Sequence, residues 1–271
     1  MSARKDKGLA VVTGASQGIG AVYARKLAER GHDVVLVARN RDRLRENAAE
    51  IRAATSREAE VVVADLSTAA DTSALAERLR SDPAISVLIN NAGATLHGGL
   101  LANDADAVAR QIALNVTAPT LLAQAAAKAF IARGGGGAIV NISSVTAFVP
   151  EMFDGAYSGS KMYLLNLTLG LASKAKDSGV RFQAVLPGPT NTDMWARGSV
   201  PASVVPPERI MEPEDLVEAA LMGLDRGEVV TAPTIDDEAA WQAYEAARRA
   251  LGSHLAAGKP AARYRASAPA L

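Results

Sequence analysis

The sequence predicts an α/β protein: a doubly wound parallel sheet of about seven strands with helices on both faces. Three observations predict it. Short β-branched runs alternate with longer Ala-rich segments of helical period. The runs are almost continuously apolar, which suits parallel strands covered on both faces. The first run also leads directly into a glycine-rich turn that opens the first helical segment.

In chain order the strands are expected at 9–14 (LAVVTG), 33–38 (DVVLVA), 60–65 (EVVVAD), 86–91 (SVLINN), 138–143 (AIVNIS), 181–187 (RFQAVLP) and 228–233 (EVVTAP). Helices fall between them near 18–30, 41–54, 71–81, 104–132, 157–177, 213–225 and 237–251. Strand then helix, repeated this often, implies right-handed crossovers and a parallel sheet. The glycine run 134–137 is expected to end the fourth helix and turn the chain into the fifth strand. Residues 188–212, rich in Pro, Gly and Ser, are long for a bare loop and are read as functional. The organisation expected is one domain over 1–257, with a lid at about 189–211 and a tail at 258–271.

Composition narrows the function. With 271 residues, 49% of them apolar, the chain can bury a sizeable core. Lys plus Arg and Asp plus Glu both number 29, so nothing marks a nucleic-acid or anionic-membrane surface. There are no cysteines, which excludes disulfides, a thiol nucleophile and thiolate-bound metals. His32, His97 and His254 lie far apart without a carboxylate pattern, so no metal site is expected. No apolar stretch approaches the ~20 residues needed to span a bilayer, and no signal peptide is visible, so a cytoplasmic location is expected.

The turn TGASQGIG places Gly14, Gly18 and Gly20 around Ser16, Gln17 and Ile19 at the start of the first helix. Residues without Cβ permit the tight turn, and the helix N-terminus offers N–H groups to a pyrophosphate. The spacing is Gly-x3-Gly-x-Gly, which is neither the usual dinucleotide fingerprint nor a P-loop. After the second strand, where a carboxylate would accept from a ribose 2′-hydroxyl, the sequence has Arg39 and Arg43 instead. Basic residues there favour a 2′-phosphate, and hence NADP(H) over NAD(H); a solvated helix start is the alternative reading. Further on, Tyr157 and Lys161 stand four apart and share one helical face. A surface helix would carry the same pair, so the spacing by itself decides nothing.

With TGASQGIG, NNAG (90–93), NISS (141–144), YSGSK (157–161) and PGPTNT (187–192) in order, the chain resembles the short-chain dehydrogenase/reductase family over roughly 8–230. The resemblance implies a Rossmann-like fold and a catalytic tetrad of Asn115, Ser144, Tyr157 and Lys161. In the reductive direction Tyr157 would give a proton to a carbonyl oxygen held by Ser144. Lys161 would lower the phenol pKa and hold the nicotinamide ribose, and Asn115 would position a relay water. The resemblance further implies cofactor contacts from Asp65 and Leu66, from Asn91, Ala92 and Gly93, and from Pro187, Gly188, Thr190 and Thr192. For Asp65, capping of the next helix is the alternative.

Phe148, Met152, Phe153, Met194 and Trp195 flank these residues and suggest a mostly apolar pocket for an uncharged ketone, aldehyde or alcohol, with core packing as the alternative for each. A homodimer, or a homotetramer, is implied by the resemblance. The segment 228–251 departs from the compact family ending. An NADP(H)-dependent carbonyl reductase or alcohol dehydrogenase is the leading expectation, and a non-catalytic dinucleotide sensor of the same fold is the alternative.

Overall fold

The structure, a computed structural model, describes residues 7–134, 136–192 and 205–265. The chain divides into two compact units, Met1–Pro233 and Thr234–Leu271. The first carries a seven-stranded sheet in the order β3-β2-β1-β4-β5-β6-β7. Its strands are β1 (Leu9–Thr13), β2 (Asp33–Ala38), β3 (Ala59–Val63), β4 (Ile85–Asn90), β5 (Gly137–Ile142), β6 (Val180–Val185) and β7 (Val230–Thr231), and every pairing is parallel. The order reverses direction between β1 and β4, which opens a crevice beyond the carboxyl ends of those two strands.

The helices between them are α1 (Gly18–Glu29), α2 (Arg41–Thr55), α3 (Ala69–Ser81), α4 (Ala105–Ile112), α5 (Ala118–Ala132), α6 (Gly155–Lys174) and α7 (Pro213–Asp225). Alternation along the strands sends neighbouring residues to opposite faces of the sheet. Ala10 and Val12 pack with residues of α1, α2 and α7, whereas Val11 packs with residues of α3 and α5. Both faces are therefore dry, as the unbroken apolar runs require. Side-chain oxygens of Asn40, Thr68 and Asp104 accept from backbone N–H groups in the first turns of α2, α3 and α4.

Two expectations change. The helix expected over 104–132 is interrupted at Ala113–Thr117 by a π-helical turn, in which Ala118 N donates to Ala113 O. Pro119 has no N–H to return to the carbonyl four residues earlier, so the ordinary helical bond to Asn115 cannot form there. The seventh strand is two residues long, not six. Gly227 turns at φ +78° and Glu228 N still bonds to Gly223 O, so those residues finish α7 before pairing begins.

The glycine run behaves as expected. Gly134 and Gly136 take φ +90° and +83° after α5, and a Cβ at Gly137 would lie 2.4 Å from the Phe130 ring. In the second unit, α8 (Glu238–Leu251) starts at an Asp237 cap and has no buried residue. Glu245 there pairs with Arg248 and Arg249. Among the described residues no helix is long and apolar enough to cross a membrane.

Candidate active site

A cavity of about 550 Å³ runs along the carboxyl ends of the central strands, from Arg39 and Asp65 at one end to Ser144, Tyr157 and Lys161 at the other. At its first end β1 turns into α1. Gly14 takes φ +68°, and a Cβ there would meet Asn91 Nδ2 at 2.7 Å. That amide holds the turn by donating to Thr13 O and Gly14 O, at 2.9 and 3.3 Å. Gly18 takes φ +56° with Thr192 packed 3.1 Å from where its Cβ would be. Gly20 does a different job from the one expected: it is absent from the cavity lining, and a Cβ would meet Gly14 O at 2.3 Å. It lets α1 pack closely on the turn.

Both arginines lie at this end. The Arg43 guanidinium bonds to the Gln17 side chain, and Arg39 reaches within 3.9 Å of Asp65. Asp65 does not cap α3, since Thr68 does that. Its carboxylate instead accepts from Ser67 N and Ser67 Oγ at 3.0 and 2.7 Å. Partial burial pushes its carboxyl up, but the bonds from Ser67 and the nearby Arg39 charge outweigh this and hold it below the usual range.

At the other end α6 projects Tyr157 and Lys161 toward β5. Lys161 is 3% exposed, and its Nζ donates to Ile142 O at 2.9 Å. Nζ lies 5.5 Å from the Tyr157 ring centre. The Ser144 hydroxyl hydrogen-bonds with the Tyr157 phenol and accepts from Thr146 N at 3.1 Å. The neighbouring Ser143 is spent elsewhere, donating to the Lys161 backbone carbonyl at 2.7 Å. Burial pushes the Tyr157 phenol up to about 12 despite the opposing bond from Ser144. Burial also brings Lys161 down to about 8. In place of the expected lowering, desolvation outweighs the hydrogen bond from Ser144. At neutral pH the phenol carries its proton.

Asn115 sits in the π-helical turn, 1% exposed. Its Nδ2 donates to Ala94 O at 2.8 Å and to Ser160 Oγ at 3.2 Å, while Oδ1 accepts from Ala94 N at 2.9 Å. The side chain therefore braces the strand-to-helix segment after β4 against α6. Gly93 borders both groups: a Cβ there would lie 3.5 Å, an ordinary contact distance, from Asn115 Oδ1 and from Lys161 Nζ.

The model of the short chain dehydrogenase family matches residues 8–200. The chain belongs to the short-chain dehydrogenase/reductase family. A short-chain dehydrogenase from Sphingobium yanoikuyae, solved in complex with NADPH, is similar at TM-score 0.90 and 44% identity, over 95% of this chain and all of that one (100%). A bulky-bulky ketone specific alcohol dehydrogenase from Comamonas testosteroni is similar at TM-score 0.86 and 38% identity, over 95% and 98% of the two chains. A cis-4-hydroxycyclohexanecarboxylate dehydrogenase from Sinomonas cyclohexanicum is 36% identical, over 78% of this chain and 86% of its own. This is an NAD(P)-dependent short-chain dehydrogenase.

The dehydrogenase's own residues fit such a cofactor. Gln17 makes no side-chain cap for α1, and the first turn of that helix has no acidic residue, so its N–H groups face the cavity without a competing carboxylate. Of the positions read from sequence, Gly14, Ser16, Gln17, Gly18, Ile19, Leu66, Asn91, Ala92, Gly93, Pro187, Gly188, Thr190 and Thr192 line the cavity. Of the two apolar candidates among the described residues, Phe148 and Phe153, Phe153 lines it. Phe148 packs on the Leu165, Ala184 and Leu186 cluster instead. The Met152 side chain, Met194 and Trp195 lie outside the described residues, as does most of the expected lid. The described ends of that segment are tied together: Asn191 N donates to Met211 O and Met211 N to Pro189 O, both at 2.9 Å.

Sequence reasoning missed Leu114, Val145 and Asp154 in the lining. A signal was available for Asp154, which stands three residues before Tyr157 where a helix cap is expected.

Proposed function

We propose that this dehydrogenase interconverts a ketone or aldehyde with the corresponding alcohol, with Tyr157 as proton donor and acceptor and NADP(H) preferred to NAD(H). The observation that carries the reading is the bond between the Ser144 hydroxyl and a Tyr157 phenol held neutral beside buried Lys161. A neutral phenol is the form that can give up a proton. In reduction Tyr157 gives that proton to the substrate oxygen while Ser144 donates a hydrogen bond to the same oxygen as charge develops there. A nicotinamide cofactor, when bound, would supply the hydride in this direction and take it in the other. Lys161 would hold its ribose and return a proton toward the phenol. Both Asn115 amide hydrogens are taken by Ala94 O and Ser160 Oγ, and Pro119 cannot donate to the Asn115 backbone carbonyl, which supports that carbonyl as the group that would hold a relay water.

Arg39 and Arg43 support the NADP(H) preference, since no carboxylate ends β2 and both guanidinium groups line the cavity. A charge-assisted bond contributes about 1.5–3 kcal/mol, or roughly ten- to hundredfold in affinity. The substrate end is lined by Leu114, Val145 and Phe153, which suits an apolar substrate. Similarity to the bulky-bulky ketone enzyme supports large ketones within that class.

The test is consumption of NADPH and of NADH against a panel of aryl, cyclic and aliphatic ketones and aldehydes. Turnover with NADPH exceeding that with NADH is expected on bulky ketones. Binding of NADPH without turnover on any carbonyl would favour the sensor instead.

A further inference from the structure

One carboxylate at the substrate end has no part in the reaction above. Asp154 lines the cavity beside Phe153 and Tyr157. Its side chain accepts from three backbone N–H groups on two separate elements. Oδ1 accepts from Ala156 N at 3.3 Å and from Leu100 N at 3.2 Å, and Oδ2 accepts from Tyr157 N at 3.4 Å. Ala156 and Tyr157 open α6, whereas Leu100 lies 54 residues earlier, in the turn that follows the β4 wall of the cavity.

That turn is built to bring Leu100 N to the carboxylate. Gly98 and Gly99 take φ +74° and +73° in succession, a conformation side chains disfavour. Gly99 faces Asp154 directly: a Cβ there would lie 3.7 Å from Asp154 Cβ. Asn103 Nδ2 braces the turn from inside by donating to His97 O and Gly99 O at 2.8 and 2.7 Å. A helix cap needs the two bonds to α6 and no more. The bond to Leu100 fastens the turn that follows the 91–95 wall of the cavity to the helix turn that carries the tyrosine.

We propose that Asp154 is a positioning residue: by tying the 97–102 turn to the first turn of α6, it fixes where Tyr157 stands against Ser144. The proposal rests on the reading of Tyr157 as proton donor. Bonds donated by Ser158 N and Ser158 Oγ to the Asp154 backbone carbonyl, both 2.9 Å, do not depend on the Asp154 side chain and survive its substitution.

Two variants separate the tie from the cap. Asp154→Asn keeps a carbonyl oxygen of the same reach. Asp154→Ser remains a good helix cap, but its oxygen sits one bond closer to the backbone and does not reach Leu100 N. Expected for Asp154→Ser is a kcat lower by about 10- to 100-fold, because small misplacements of a reacting group cost that much. Its melting temperature and NADPH affinity should stay near wild type, and amide hydrogen exchange at Leu100, measured without substrate, should be faster. Asp154→Asn should restore both kcat and the slow exchange. Wild-type kcat in Asp154→Ser, or unchanged exchange at Leu100, would overturn the proposal. A Tyr157→Phe variant run in parallel tells the two failures apart: full activity there defeats the donor reading, while the exchange data report on the tie alone.

Discussion

Lys161 shows how function sets the energetics of one residue. The ammonium is buried with a single recorded acceptor, Ile142 O, and its pKa falls from 10.5 to about 8. That gap corresponds to roughly 3 kcal/mol of destabilisation of the charged form by the folded surroundings. Between pH 8 and 10.5 the unfolded chain binds a proton that the folded chain does not, so folding stability rises with pH across this window. Tyr157 works in the opposite direction, but only above pH 10, because its folded pKa is raised from 10.0. Denaturant unfolding of wild type and Lys161→Met at pH 7 to 10 should therefore show wild type gaining on the variant as pH rises. Parallel stability curves would mean that Lys161 is not held against its own desolvation. The family resemblance carried by the ordered motifs, not the Tyr–Lys spacing alone, made Tyr157, Lys161 and Ser144 candidates in the sequence. The direction of the phenol shift was not legible, because it depends on burial by residues that the spacing does not place.

At the scale of elements, the alternation of apolar runs predicted every strand but could not show the break in the fourth helix. The segment 104–132 is Ala-rich and carries a proline at 119, where the structure starts a new helix after a π-helical turn. The proline was the available signal, and its missing N–H is the physical cause. π-helical turns recur at functional sites, and here one carries Asn115. Pro119→Ala restores the N–H and permits an ordinary helical bond to Asn115. We expect kcat to fall about tenfold while stability changes by no more than ~1 kcal/mol, checked by steady-state kinetics and thermal melting. An unchanged kcat would show that the turn's shape does not matter to the site. Nor did the sequence reveal the core polar chain from Asn90 to Asn141 to Thr168, with bonds of 2.9 Å each. Two buried asparagines on adjacent strands become partners only once the β4–β5 register sets Asn90 opposite Asn141. Likewise, Arg25, Lys26 and Arg30 find their partners, Glu214, Glu218 and Asp225 of α7, only once α1 and α7 pack together. Such exposed pairs contribute little individually, about 0–1 kcal/mol.

For the whole molecule, the sheet order places the glycine turn after β1 and the Ser144 segment after β5 on the same rim, so one cavity spans both. With equal numbers of acidic and basic residues, the protein has no overall field to draw in an anionic cofactor. Local N–H groups and the two arginines must do that work. The central step of the proposed reaction is delivery of the proton that completes carbonyl reduction from Tyr157. The most direct measurement compares Tyr157→Phe with wild type, following NADPH affinity by fluorescence and turnover on a bulky ketone. General acid catalysis is worth about 10²–10⁴-fold, so turnover should fall by that much while NADPH affinity holds. Turnover retained within a few-fold would contradict the account, because Ser144, Lys161 and the cofactor would then suffice without the phenol.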